Sequence, residues 1–490
     1  MSIKIVMRKA EHWQMKNRSN DKKPQLIKNV GISILAQAVS LVVSILINLI
    51  VPILIDEYQY SYWQTYVLYI GYVGIFHFGV FDGIMLRYSQ YDYEQLNKKR
   101  IRSQLYLLLI IDSLLALVVL VGSQFIFKNG IYKNISVFVA IGIITKNLYT
   151  YATYTYQMTN RIKSYVKLVI VQRIYYALGI LILMLLRVNN FYLYCLVDIT
   201  ADLFAILLLF RGNKELYFGK PEGKNDIERE FKTNISAGVV LLLANWVAMF
   251  LVGEAKMMIH SNWDILIFGK VSFAFSVSNL FLTFVTAISI VLFPSLKRMN
   301  ANELPVLYVK IREAMSPVLF GIMLFYFPGC GILRLWIPKY SQSLVYLGIL
   351  LPVIVFSSKV SLLTNNYLKA YRKEKEMLKI NVISIAIASI MYCISIYILN
   401  NIYLLLVCAV LAIMLRSILS EIVVSKIIDA SFVRKYVEEG IMTVAFILIA
   451  SLLDTLLGFL VYAIVLLIYM YMNREALNKM IKGIKSKRQN

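Results

Sequence analysis

The chain has 490 residues, of which 59% are apolar or aromatic and 16% charged, with a mean hydropathy of +0.69 and a net charge of +24. Soluble domains carry about 25% charged residues, so this composition excludes a water-soluble globular fold, a disordered chain and a collagen. The four cysteines stand singly in apolar runs and His12, His77 and His260 are far apart, so no disulfide framework, zinc spacing, redox motif or cofactor site is expected.

Residues 1–28 form a basic tail without the apolar stretch of a signal peptide. Ile3, Val6, Met7, Ala10 and Trp13 recur at helical spacing, which suits either a helix lying on a membrane surface or a mobile tail. A helix needs about 20 mostly apolar residues to cross a bilayer. Such runs fall at 29–55, 58–82, 103–127, 134–160, 165–186, 188–210, 233–259, 264–296, 314–337, 340–368, 379–399, 402–425, 436–453 and 455–473. The expectation is an all-α polytopic membrane protein of about fourteen spans, with twelve as the alternative. The run 380–415 is divided at the turn-prone pair Asn400 and Asn401, and 440–473 at Asp454.

Lysine and arginine are retained on the cytoplasmic side of a membrane protein. With fourteen spans, 40 of the 51 fall on one side, 6 on the other (Lys256 among them) and 5 inside spans. The positive charge is therefore read as a topology signal with both termini cytoplasmic, and not as a nucleic-acid footprint. The connection 211–232 divides the chain into six spans over 29–210 and six over 233–425, followed by two more over 426–473 and a second basic tail, 474–490. The first span opens with Asn29 and the seventh with Asn234, in similar short polar sequences about 205 residues apart, which is compatible with a parallel repeat.

Two segments resemble a known family. Tyr60–Tyr88 (YSYWQTYVLYIGYVGIFHFGVFDGIMLRY) is similar to the second span of bacterial oligosaccharide flippases of the polysaccharide-biosynthesis type, within the multidrug/oligosaccharidyl-lipid/polysaccharide (MOP) exporter superfamily. Phe268–Asn279 (FGKVSFAFSVSN), followed by Leu292–Arg298 (LFPSLKR), is similar to the eighth. Ser61 stands where the family usually has glycine, and Ala255 beside Glu254 where an acid is common. The resemblance implies two six-helix bundles around a central cavity plus two C-terminal helices. It also implies that a polyprenyl-diphosphate-linked oligosaccharide moves from the inner to the outer leaflet of the bacterial cytoplasmic membrane.

Cations in mid-span are costly unless they face water, an acid or a substrate. Lys146, Arg173, Lys359 and Arg416, with Thr153 and Gln157, are the expected substrate-binding residues, because a cationic lining offsets the charge of a diphosphate. Lys146, Thr150, Thr153, Gln157 and Asn160 share one helical face, and Ser33, Gln37, Ser40, Ser44 and Asn48 form a similar stripe on the first span. Either stripe suits a cavity wall or interhelical bonding. Lys270 points away from the polar stripe of its span and is expected to snorkel. No mid-span acid is expected to balance Lys359 or Arg416, since Glu421 is read as lying near a span end. Tyr58, Tyr62, Tyr66, Tyr69 and Tyr72 make an aromatic face on the second span, suited to sugar rings or to the membrane interface. Asp82 and Arg87, with Lys256, are candidate gate residues; for the first two an end-of-helix cap is the alternative.

Asp198 and Asp202 share a face of the sixth span. With Asp112 they are the candidates for H⁺ or Na⁺ coupling, the alternative being a structural ion pair with Lys146 or Arg173. The competing functions are a cation-coupled multidrug antiporter, which would want an acid-rich cavity, and a polysaccharide polymerase, which would want longer outer loops. A passive scaffold has little reason to bear mid-membrane charge. Glycosyltransferases and a polysaccharide polymerase are the expected functional associates.

Overall fold

The computed structural model describes residues 37–296 and 303–475. The N-terminal basic tail, Ser33 and most of the C-terminal tail lie outside them. Among the described residues the regular structure is helical throughout. The elements are α1 (Gln37–Leu54), α2 (Glu57–Ile70), a 3₁₀ turn (Val73–His77), α3 (Val80–Tyr88), α4 (Lys98–Ile126), α5 (Gly130–Met158), α6 (Ile162–Leu185), α7 (Phe191–Leu209) and the short α8 (Lys214–Tyr217). They continue as α9 (Lys224–Asn262), α10 (Ile265–Leu296), α11 (Glu303–Met323), α12 (Tyr326–Trp336), α13 (Ser341–Leu350) and α14 (Val353–Ser358). A π-helical segment (Lys359–Thr364), α15 (Asn365–Ala370), α16 (Glu374–Cys393), α17 (Ile402–Ile428), α18 (Val433–Leu452) and α19 (Thr455–Met472) complete the chain.

Among the described residues eleven helices are long and apolar enough to cross a membrane, or up to thirteen if each of two bent pairs is one span. The chain is thus an all-α polytopic membrane protein. The bends, of 54° and 53°, interrupt the second and tenth predicted runs. Gly79, with φ +79°, and Pro352 stand at them. The thirteenth run is helical as α18, but Arg434, Lys435, Glu438 and Glu439 dilute its apolar character. The predicted divisions coincide with real breaks: Asn400 is left-handed, Asn401 caps α17, and Asp454 precedes α19.

The connection between the sixth and seventh runs is shorter than 211–232, because α9 starts at Lys224. It is also docked rather than free. Arg102 donates to the carbonyls of Glu215 (2.7 Å), Phe218 (3.0 Å) and Lys220 (2.5 Å), and Tyr106 to that of Tyr217.

Two of the places where the first seven helices meet the later ones lie along α2 and α3. At the basic end of the molecule α3 crosses α9 with backbones in contact. A Cβ on Gly83 would lie 2.0 Å from the Asn234 carbonyl oxygen, and one on Gly238 2.1 Å from that of Gly79. At the opposite end α2 packs on α10. Gly269 of α10 receives Ser61, whose Oγ would be 1.9 Å from a Cβ there, so the serine is accommodated by a glycine opposite.

Candidate transport site

In the N-terminal half α5, α6, α7 and α2 converge on one buried ion cluster. Lys146 Nζ stands 2.9 Å from Asp198 Oδ1 and 2.8 Å from Asp202 Oδ2. The four-residue spacing on α7 puts both carboxylates on the side that faces α5. Gln172 of α6 donates to Asp202 (3.0 Å) and Tyr66 of α2 to Asp198 (2.8 Å). Asp202 is 1% exposed, whereas the Lys146 side chain keeps 24% of its surface. One ammonium thus faces two carboxylates. Asp112 is separate: it is buried on α4 and accepts from Asn147 (3.0 Å).

Two further members of the predicted stripe bond back to their own helix. Thr150 donates to the Lys146 carbonyl and Thr153 to that of Thr150. On α1, Asn48 donates to the Ser44 carbonyl. Gln157 is half-buried one turn further along α5. Arg173 is half-buried on α6 and has no ion pair among the described residues.

The C-terminal half corrects the expectation that no acid balances Lys359. Lys359 is 1% exposed and donates to Glu421 (3.0 Å) and Glu439 (2.7 Å). Arg312 pairs with the same two carboxylates, at 2.6 and 3.2 Å, and Ser316 donates to Glu439. This balanced quartet joins α11, the π-helical segment, α17 and α18. The sequence puts Arg312 in the connection before 314–337 and Glu421 near a span end, whereas α11 starts nine residues before Arg312 and α17 runs seven beyond Glu421. Glu439 sits near the start of the thirteenth run, whose remainder is apolar. Two cations and two acids within the last spans are themselves the signal for mutual pairing, since none can face lipid cheaply.

Arg416 is not in that quartet. Its Nε donates to Asn381 Oδ1 (2.7 Å), and the amide of Asn381 is held by the Ala244 carbonyl (2.8 Å). No carboxylate lies within ion-pair distance of Arg416 among the described residues. Glu254 of α9 accepts instead from Ser389 of α16 (2.6 Å).

The gate candidates part company. Arg87 crosses to α9, donating to Glu230 (2.6 Å) and Asn234, while Tyr88 also donates to Glu230 (2.8 Å). Asp82 stays within the first half, accepting from Tyr154 (3.1 Å) with His77 3.9 Å away. Lys256, counted with an outer connection, lies inside α9. Its ammonium has no ion pair or hydrogen bond among the described residues and sits 5.9 Å from the Phe268 ring centre. Lys270 reaches the surface, donating to Gln342 (3.1 Å) with Glu57 4.0 Å away. A contact that sequence reasoning missed lies beside it: Lys339 donates to the Ile53 and Ile55 carbonyls (3.1 and 2.6 Å) and so caps the end of α1 from the other half.

No protein-family model and no curated protein sequence matches the chain. Solved structures do. One is a lipid II flippase, MurJ, in an inward closed conformation, with a TM-score of 0.63 and 13% identity over 92% of this chain and 100% of that one. A multidrug resistance MATE family transporter of the MOP superfamily, facing inward, gives 0.53 and 12% over 80% and 98%. The eukaryotic MATE transporter AtDTX14 gives 0.52 and 12% over 85% and 98%. At such identities the likeness is one of architecture: the chain shares its fold with the lipid II flippase and MATE transporter structures.

Proposed function

We propose that the protein flips a polyprenyl-diphosphate-linked oligosaccharide, a capsule, exopolysaccharide or O-antigen-type unit, from the inner to the outer leaflet of the bacterial cytoplasmic membrane. The observation that carries this reading is a set of uncompensated cations. Arg173, Lys256 and Arg416 lie within spanning helices and have no carboxylate at ion-pair distance among the described residues, whereas Lys146, Arg312 and Lys359 do. Charge held in a poorly solvated site without a counterion is matched by an anionic substrate. The fold, shared with a lipid II flippase, supports the same class of cargo.

In this reading residues 29–210 and 233–425 form two bundles that rock against each other, 426–473 adds two helices, and the basic end with both termini faces the cytoplasm. The Arg87–Glu230 contact closes that end and the Lys339 cap the other. The Lys146–Asp198–Asp202 trio, with one carboxylate in excess, supplies the exchange of H⁺ or Na⁺. Glycosyltransferases and a polysaccharide polymerase supply and consume the glycan.

A multidrug antiporter is the second reading, favoured by the same excess carboxylate and by the likeness to MATE transporters. Reconstitution separates the two. Liposomes carrying a polyprenyl-diphosphate glycan should show protein-dependent flipping that Arg173→Gln/Arg416→Gln abolishes. Ion-driven transport of organic cations without glycolipid flipping would establish the antiporter instead.

A further inference from the structure

The contact between α9 and the first half holds unused donors. Along one face α9 carries Trp246, Phe250, Gly253 and His260, with Lys256 at its edge four residues before His260. Tyr72 packs edge-on against Trp246 and Phe250, at ring separations of 6.2 and 5.8 Å. Tyr69 and Tyr132 pack edge-on against His260, at 5.9 and 5.5 Å. Gly253 makes this possible, since a Cβ there would fall 1.4 Å from the Tyr72 hydroxyl. Beside this contact lies a cavity of about 310 Å³, walled by first-half residues such as Tyr69, Tyr72, Phe76, Tyr132 and Ile143 and closed from α9 by Trp246.

Toward this end of α9 three nitrogen groups, on Trp246, Lys256 and His260, lack a polar partner among the described residues. Trp246 Nε1, which borders the cavity, and His260 Nε2 are buried without a hydrogen-bond partner. Lys256 has only the face of Phe268, against which His260 also packs at 4.9 Å. Of the acids in this stretch of chain, Glu254 accepts from Ser389 through Oε1 while its Oε2 is buried without a partner, and Asp264 caps α10 through the Leu266 amide; neither forms an ion pair with Lys256 among the described residues. Buried polar atoms are nearly always satisfied in a native protein, so the orphaned indole and imidazole nitrogens, with an unpaired ammonium near them and a cavity with aromatic walls alongside, mark a place for a ligand.

Resting on the function proposed above, we propose that this seam binds the lipid end of the substrate, with the diphosphate at Lys256 and His260 and the first isoprene units in the aromatic cavity beside Tyr69 and Trp246. The diphosphate gives the ammonium a counterion and the imidazole a hydrogen-bond partner. Flat, methyl-bearing alkenes fill an apolar cavity and offer π density to the indole N–H. The site touches both halves, so its occupancy changes as they separate.

The test is titration of the protein in nanodiscs with farnesyl diphosphate, farnesol and inorganic diphosphate. Farnesyl diphosphate is expected to bind the wild type more tightly than either fragment. Lys256→Gln should weaken it about tenfold, as loss of a charged hydrogen bond does, and leave farnesol unchanged. Trp246→Leu should weaken farnesol and farnesyl diphosphate alike, and Lys256→Arg should restore binding, which separates a site effect from misfolding. Farnesyl diphosphate bound equally by wild type, Lys256→Gln and Trp246→Leu overturns the seam site while leaving the flippase reading intact. Inorganic diphosphate bound as tightly as farnesyl diphosphate overturns the role of the cavity. A wild type that binds no polyprenyl diphosphate defeats the flippase reading as well.

Discussion

Lys359 donates to Glu439 across 2.7 Å, from the π-helical turn that follows α14 to α18. With Arg312 and Glu421 the pair forms a neutral, solvent-free quartet. Such a group depends on every member, because removing one leaves an uncompensated buried charge at a cost of about 3–5 kcal/mol. Glu439→Gln should therefore lower thermal stability in detergent strongly. Lys359→Met combined with Glu439→Gln should cost less than the sum of the single changes. Additive losses in this double-mutant cycle would show that the pair is not coupled.

The N-terminal trio makes a different prediction. Asp202→Asn removes the excess carboxylate and leaves Lys146 paired with Asp198. Folding should survive, and transport in liposomes should lose its dependence on a pH or Na⁺ gradient. Asp198→Asn/Asp202→Asn strands Lys146 and should reduce stability by about 3–5 kcal/mol. Gradient dependence that persists in the single variant would remove the trio from coupling.

At the basic end, Asn234 is fully buried under α3. Arg87→Ala should raise the maleimide reactivity of a cysteine placed at Asn234 several-fold. Exchanging the charges, with Arg87→Glu and Glu230→Arg, should restore protection. Reactivity that does not respond to either change would mean that glycine packing alone holds the contact.

At the other end Lys339→Met uncaps the Ile53 and Ile55 carbonyls. Each net hydrogen bond of a charged donor contributes about 1.5–3 kcal/mol, so the change should shift the equilibrium between the halves. A cysteine at Ser61, which is 1% exposed, should become more reactive to an impermeant thiol reagent. Unaltered reactivity would show that the Ser61–Gly269 packing closes this end without the lysine.

Much of the architecture was legible in the chain because a bilayer imposes length and polarity on every span. Runs of about 20 apolar residues located the helices, and Asn400, Asn401 and Asp454 marked breaks by local backbone and capping preference. The likeness of Tyr60–Tyr88 and Phe268–Asn279 to the second and eighth spans of exporters pointed to the fold that the structure has. The helix face shared by Asp198 and Asp202 followed from periodicity alone. Which charges meet did not. Lys146 lies 52 residues from Asp198 in the chain, Lys359 80 from Glu439, and Arg87 143 from Glu230. Periodicity orients a residue on its own helix but says nothing of the neighbour that the helix turns toward. Only the packing of α11, α17 and α18 around Lys359 turned an expected substrate contact into a closed ion quartet, and only the approach of α9 to α2 and α5 left Lys256 and His260 without partners beside an aromatic cavity.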